Sequence, residues 1–300
     1  MAKSFQQTIT DFTTMSHDSS ADNVTLGKSL VNTCIKKVLS SSDFTFNKDS
    51  NTYASVANQQ YYDPPYNAAK MEYVNVYYGG VWYYLKEVRD GKSWRILNNV
   101  SVHSDVPQYW YISNRTHKFG IYPIPCSDDT EIQVGFTKKI RDLSVADYVT
   151  GTVTNTLNST AIVGVLTVWT KGMIGRFIKI TSADTIAGDY WFEITAVTDA
   201  THLIVREEIP AAIVGASYTI AELIPLPDGF EDIPLWYALS IYYQTKEMPA
   251  LSLRWEKEYE SGLDNLITSD SRSVVGILEK QGIVSGLDPN TNPWAIEITE

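Results

Sequence analysis

Cysteine is scarce in this sequence, with Cys34 and Cys126 the whole supply in 300 residues. The pair lies far apart, with no Cys or His at ligand spacing, which excludes a disulfide framework and a zinc site. Cys34 is expected as a buried, inert thiol. Missing too is any run of about 18 apolar residues, so no membrane span is expected. The opening stretch MAKSFQQTITDFTT lacks the basic-then-apolar layout of a signal peptide, which implies synthesis in a cytoplasm. Basic residues are outnumbered, 24 against 35 acidic, for a net charge of −11. That balance argues against a protein that grips nucleic acid by neutralising phosphates. It leaves room for a conduit, because a wall of the same sign as the phosphates keeps DNA from sticking; acidity for solubility is the plainer reading.

Catalytic signatures are equally sparse. There is no G-x-x-x-x-G-K-[ST] or G-x-G-x-x-G phosphate loop, no H-E-x-x-H and no G-x-S-x-G elbow. His17, His103, His117 and His202 are scattered over polar or turn-like contexts and are expected to be structural or solvated. Asp128-Asp129 offers paired oxygen ligands for a hard cation, although a solvated β-turn accounts for it. Neither a catalytic residue, a cofactor nor a metal is assigned. Carboxylates are plentiful, so a glycosidase pair brought together only in space stays open. Aromatics on strands suit sugar stacking, but Tyr73, Tyr77, Tyr83, Trp94 and Trp110 are read first as core or interface residues.

What is present describes a globular protein: 44% hydrophobic and 20% charged residues, in a chain long enough for roughly two domains. Residues 1–22 are polar, show no sustained period and read as a flexible arm. Over 24–39, Leu30, Val31, Cys34, Ile35, Val38 and Leu39 recur at three- and four-residue spacing, predicting a helix capped by Asp22 or Asn23. Between 44 and 141 the grammar is that of strands. A hairpin is predicted at Gly79-Gly80, and further strands over 94–97, 109–113, 119–122 and 131–136. Residues 147–222 are poor in charge and rich in Thr, Val, Ile, Gly and Ala, in short strands at the spacing of a small sandwich or barrel.

After Pro225 and Pro227 the helical period returns. One helix, capped by Asp228 or Asp232 with Pro234 in its first turn, carries Trp236 and Tyr242. A second, opened by Pro249, carries Trp255 and Tyr259; these four aromatics are the helix-packing candidates. The last segment, 271–300, is broken by Gly and Pro yet holds Ile277, Leu278, Trp294, Ile296 and Ile298. These are candidates for docking on a partner, since such a segment is too apolar for a solvated end.

The fold class expected is therefore α+β. An N-terminal helix and a C-terminal helix pair accompany an aromatic-rich antiparallel β region, with a small all-β domain inserted. The expected domains are an arm over 1–22, a core made of 23–146 with 223–270, the insert over 147–222, and an extended tail over 271–300.

One arrangement of motifs is similar to a known family. It runs Val56-Ala57-Asn58-Gln59-Gln60-Tyr61-Tyr62-Asp63-Pro64-Pro65, then Ile121-Tyr122-Pro123-Ile124-Pro125 before the strand over 132–136. Ile224-Pro225-Leu226-Pro227 follows, before Phe230, Ile233, Trp236, Ala238 and Tyr242. In order and spacing these resemble the head-to-tail adaptor of tailed bacteriophages. In that family the last strand runs almost directly into the Leu-Pro segment, so 147–222 stands out as an insertion. The insert in turn, through Gly151-Thr152-Val153-Thr154, Met173-Ile174-Gly175-Arg176-Phe177-Ile178, Tyr190-Trp191-Phe192-Glu193-Ile194 and Gly215-Ala216-Ser217-Tyr218-Thr219-Ile220, is similar to a β module of several phage structural proteins.

The resemblance implies a non-enzymatic virion protein. It would form a dodecameric ring of its own copies at the neck, dock on the portal through its C-terminus, carry the next tail component and let DNA pass without high-affinity contact. The competing expectation is a tail component that binds or degrades host surface polysaccharide.

Overall fold

The computed structural model describes residues 2–113, 115–144, 146–181 and 190–280, the stretch 272–280 as helical backbone. The fold is mixed α+β. The chain divides into two compact units, one of residues 43–141 and one in which residues 1–42 join the chain from 142 onward.

The second of these begins with two helices, α1 (Phe5–Ser16) and α2 (Ala21–Ser41). The segment expected as a flexible arm is thus a capped helix. Ser4 Oγ accepts a hydrogen bond from the Gln7 amide, and His17 closes the helix in the left-handed conformation. Phe5, Ile9 and Phe12 supply the buried stripe. Three apolar residues at helical spacing among Gln, Thr and Ser make a weak signal in sequence, and packing decides the outcome. α2 starts earlier than expected, because Ser20 rather than Asp22 or Asn23 receives the first-turn amide. Asn23 instead turns inward, donating through Nδ2 to Ser16 Oγ and the Asp18 carbonyl.

The unit of residues 43–141 is a β-sandwich. Its strands are β1 (Lys48–Ala54), β2 (Tyr61–Tyr62), β3 (Ala68–Tyr78), β4 (Val81–Tyr84), β5 (Lys86–Glu87), β6 (Tyr109–Ile112), β7 (Phe119–Tyr122) and β8 (Glu131–Lys138). They form one sheet in the order β1-β8-β3-β4 and another in the order β2-β7-β6-β5. Met71, Val74, Val76, Ile132 and Val134 of the first sheet pack with Tyr62, Trp110, Phe119 and Ile121 of the second. The β3–β4 hairpin turns on Gly79 and Gly80, both at positive φ, which a two-residue turn between right-twisted strands requires. The strand expected over 94–97 is a helix, α3 (Gly91–Leu97). Asp90 Oδ1 accepts from the amides of Lys92 and Ser93, a cap that outweighs the strand preference of Trp94 and Ile96.

Residues 152–221 of the other unit carry β9 (Thr152–Asn155), β10 (Ser159–Val165), β11 (Phe177–Ile180), β12 (Phe192–Asp199), β13 (His202–Ile209), β14 (Ile213–Ala216) and β15 (Tyr218–Ala221). They make a seven-stranded sheet in the order β14-β9-β10-β13-β12-β11-β15. Its end strands are consecutive in the chain, with Ser217 alone between them. The sheet therefore curls round until its edges come close, nearly a closed barrel. Val153, Ile162, Trp169, Ile178, Ile194, Leu203 and Ile220 fill the inside. Within it Trp169 Nε1 donates to the Tyr218 hydroxyl at 2.9 Å, and that hydroxyl donates to the Thr150 carbonyl at 2.6 Å.

Two more helices follow, α4 (Ile233–Thr245) and α5 (Pro249–Lys280). α4 packs on α1, α2 and α5. Its near-continuous apolar sequence, with Ile233, Leu235, Ala238, Leu239, Tyr242 and Tyr243 all buried, suits a central position. α5 reaches Lys280, so the first ten residues of the segment read as an extended tail are helical.

Candidate functional site

The helix bundle is joined to the barrel by the first residues of the chain. Ser4 bridges to Leu223, with Phe5 N donating to the Glu222 carbonyl and Ile224 N to that of Lys3. Ser4 Oγ donates to Asp147 Oδ2 at 3.0 Å, and Trp191 Nε1 to the Ala2 carbonyl at 3.2 Å. Residues 2–5 therefore clasp both the entry to the barrel and its exit. Lys3 pairs with Asp11 and Asp232, and its side chain is only 16% exposed. Burial alone would lower the Lys3 pKa, but the two carboxylates outweigh it and raise it. Asp147 shifts upward, because desolvation opposes its charge more than the Ser4 hydrogen bond favours it.

The helix-packing candidates lie in this unit. Tyr242 stands edge-on to Phe12 at 5.7 Å. Trp236 is half-buried and approaches α5 at Gly262, where an added Cβ would lie 2.7 Å from its ring, so no larger residue fits without a shift. Tyr259 is buried and tilted against Tyr237 at 5.3 Å, with Lys37 Nζ 5.4 Å from its own ring centre. Burial pushes the Tyr259 hydroxyl up to about 12, and the nearby Cys34, itself pushed up to about 12 by burial, is inert at neutral pH. Trp255 is half-buried beside Arg254. Of the docking candidates, Ile277 and Leu278 fall within α5, and Trp294, Ile296 and Ile298 lie outside the described residues.

Asp128, Asp129, His17, His117 and His202 lie in caps and turns. Asp128 Oδ1 accepts from the Ala57 amide at 2.7 Å, and Asp129 sits at positive φ in the same turn. His17 and His117 also occupy positive-φ positions. His202 contacts Asp199 across the β12–β13 turn at 2.9 Å and holds that carboxyl down at about 2. Among the described residues no group of three His, Cys, Asp or Glu is placed to hold a metal ion, and no helix is long and apolar enough to cross a membrane.

Exposed apolar surface is where chemistry concentrates. The five aromatics expected on strands divide: Trp94, on α3, and Trp110 are buried, whereas Tyr73, Tyr77 and Tyr83 are exposed. Tyr73 and Tyr77 share the outer face of the β1-β8-β3-β4 sheet with Trp82 and Tyr84, as the cross-strand pairs Tyr77–Trp82 and Asn75–Tyr84 establish. Asn75 lies in their midst, buried, and its Oδ1 has no hydrogen-bond partner. The sequence pattern points to the aromatic strands but does not single out Asn75, since its burial depends on neighbours on two other strands, β4 and β8. The barrel exposes a different surface, aliphatic rather than aromatic: Val163 and Val165 of β10, Ile204 of β13 and Val214 of β14.

A family model described as SU10 adaptor protein matches residues 5–169. Comparison with curated proteins finds no match. The matched stretch takes in α1, α2, the whole sandwich and the first strands of the barrel. Because it covers more than half of the chain, this protein belongs to the SU10 adaptor protein family.

Proposed function

We propose that this chain is a non-enzymatic structural protein of a tailed phage particle, a subunit of the ring that joins the portal to the tail. Family membership over residues 5–169 carries the reading. In this reading twelve copies form the ring, as the resemblance implies, and DNA passes through it. The helices face the passage, and Glu256, Glu258, Glu260 and Asp264 of α5, all exposed, repel the phosphates rather than bind them. The exposed valines of the barrel face outward, toward the next tail or neck component. The segment beyond α5, with Trp294, Ile296 and Ile298, docks on the portal.

Mass measurement of the purified protein, alone and mixed with its portal, tests this directly. A defined multimer is expected, at least on the portal. A strict monomer in both samples overturns the ring. Ending the chain after Lys280 leaves α5 whole and is expected to keep the protein folded while abolishing portal association. Unchanged association would remove the docking role of Trp294, Ile296 and Ile298.

A further inference from the structure

We infer that the outer face of the β1-β8-β3-β4 sheet binds a neutral oligosaccharide, through the rings of Tyr73, Tyr77, Trp82 and Tyr84 and the amide of Asn75. This activity is separate from ring assembly and does not depend on it.

The register assembles the surface. Tyr73 lies opposite Gly135, Asn75 opposite Gln133 and Tyr84, and Tyr77 opposite Glu131 and Trp82. Val74 and Val76, the alternate residues of β3, point the other way into the sandwich core. Tyr73 and Tyr77, four residues apart on one strand, are separated by roughly 13 Å along the sheet, the reach of an oligosaccharide rather than of one sugar. Gly135 sets the attitude of the first ring. A Cβ there would fall 2.1 Å from Tyr73 Cε1, so the ring crosses the bare glycine backbone, and it stays 38% exposed. Tyr77 and Trp82 stand with ring centres 5.0 Å apart, tilted by 48°.

The chemistry of this face is amphipathic in the way a sugar is. A pyranose offers C–H faces to aromatic rings and hydroxyls around its rim, and the sheet supplies rings interleaved with neutral hydrogen-bonding groups. Asn75 is 4% exposed, and its Oδ1 is an acceptor without a donor. Tyr84, its cross-strand neighbour on the same face, is 79% exposed, a ring free to swing onto a sugar bound beside the amide. Gln133 stands on the other side of Asn75 in the same row. In the three rows from Tyr73 to Trp82 the single charged side chain is Glu131, so nothing there favours an anionic sugar. The barrel's exposed valines make the contrast: they present apolar area without rings or amides and have no such complement.

The test is titration of the full-length protein with short neutral oligosaccharides of glucose, galactose and N-acetylglucosamine, followed by tryptophan fluorescence and calorimetry. Saturable binding by at least one is expected. Trp82→Ala and Tyr77→Ala should each weaken it by about tenfold or more, and Trp82→Phe by less. Tyr83→Ala, on the same strand but the opposite face, should leave affinity unchanged, and circular dichroism checks that each variant is folded. Absence of binding across the series overturns the inference, as does binding indifferent to Trp82→Ala. Should Trp82→Ala instead dissolve self-association while no sugar binds, the face is an interface between copies and the oligosaccharide role falls, with the ring reading intact.

Discussion

Two glycines on the outer faces of the sandwich, Gly120 on β7 and Gly135 on β8, each lie beneath aromatic rings, and the two sites end differently. At Gly120 a Cβ would meet Trp94 at 2.7 Å and Tyr61 at 2.8 Å. Trp94 is buried there, stacked on Tyr111 at 5.2 Å, with α3 closing that sheet from outside. At Gly135 the ring is Tyr73, and it remains 38% exposed. The same device, a ring laid on bare backbone, thus serves once to seal a sheet and once to furnish an open surface. The difference lies in α3: a capped turn of helix delivers Trp94 to one face and buries it there, whereas on the other face Tyr73 stays open to solvent.

The comparison breaks most visibly at the lid. Trp94→Ala should destabilise the protein by about 3–5 kcal/mol, the usual cost of removing a buried tryptophan, read as a lowered denaturant midpoint. A loss well under that range would mean that α3 does not seal its sheet. Gly135→Ala comes next, at about 1–3 kcal/mol, because the new methyl must displace the Tyr73 ring. The same variant sharpens the contrast, since the ring on this open face has room to lift. A cost at the low end is therefore expected, with increased exposure of Tyr73 in solvent-perturbation spectra.

How much of this was legible in the sequence depends on how local the cause was. The β3–β4 hairpin followed from Gly79-Gly80 between alternating residues, and α4 and α5 from apolar period with Pro234 and Pro249 at their starts. These signals act within a few residues. α3 has the composition of a strand, because Trp and Ile favour strands, and one Asp90 cap reverses that preference. α1 is faint in the sequence because three apolar side chains among polar ones gain their meaning from packing, on α2, where Phe12 covers Gly27, and on Tyr242, more than 200 residues away. The open face was legible as a list of aromatics. Which of them are buried depends on α3, and the orphaned amide of Asn75 depends on strand register, neither of which composition carries.

The two smaller predictions separate the faces further. Tyr61→Phe removes the hydroxyl that accepts from Trp94 Nε1 at 3.1 Å, leaving a buried indole N–H without a partner. A cost of about 1–2 kcal/mol is expected, with the far-ultraviolet spectrum unchanged. Near-zero cost would indicate that water reaches the indole, and so that the sealed face is less dry than its burial suggests.

Trp82→Ala is the smallest and the most informative. Both rings of the Tyr77–Trp82 pair are partly open to solvent, at 40% and 38% exposure. Truncating such a residue removes little area that folding had taken from water. A stability change within about 0.5 kcal/mol is therefore expected, against several for Trp94→Ala. A tryptophan that contributes almost nothing to folding while holding a costly apolar surface open to water is accounted for by what the surface binds. The stability measurement and the oligosaccharide titration on this one variant should then move in opposite senses: folding nearly untouched, binding lost. If folding is instead strongly weakened, Trp82 is part of the sandwich's own packing, and the two outer faces are more alike than their exposure implies.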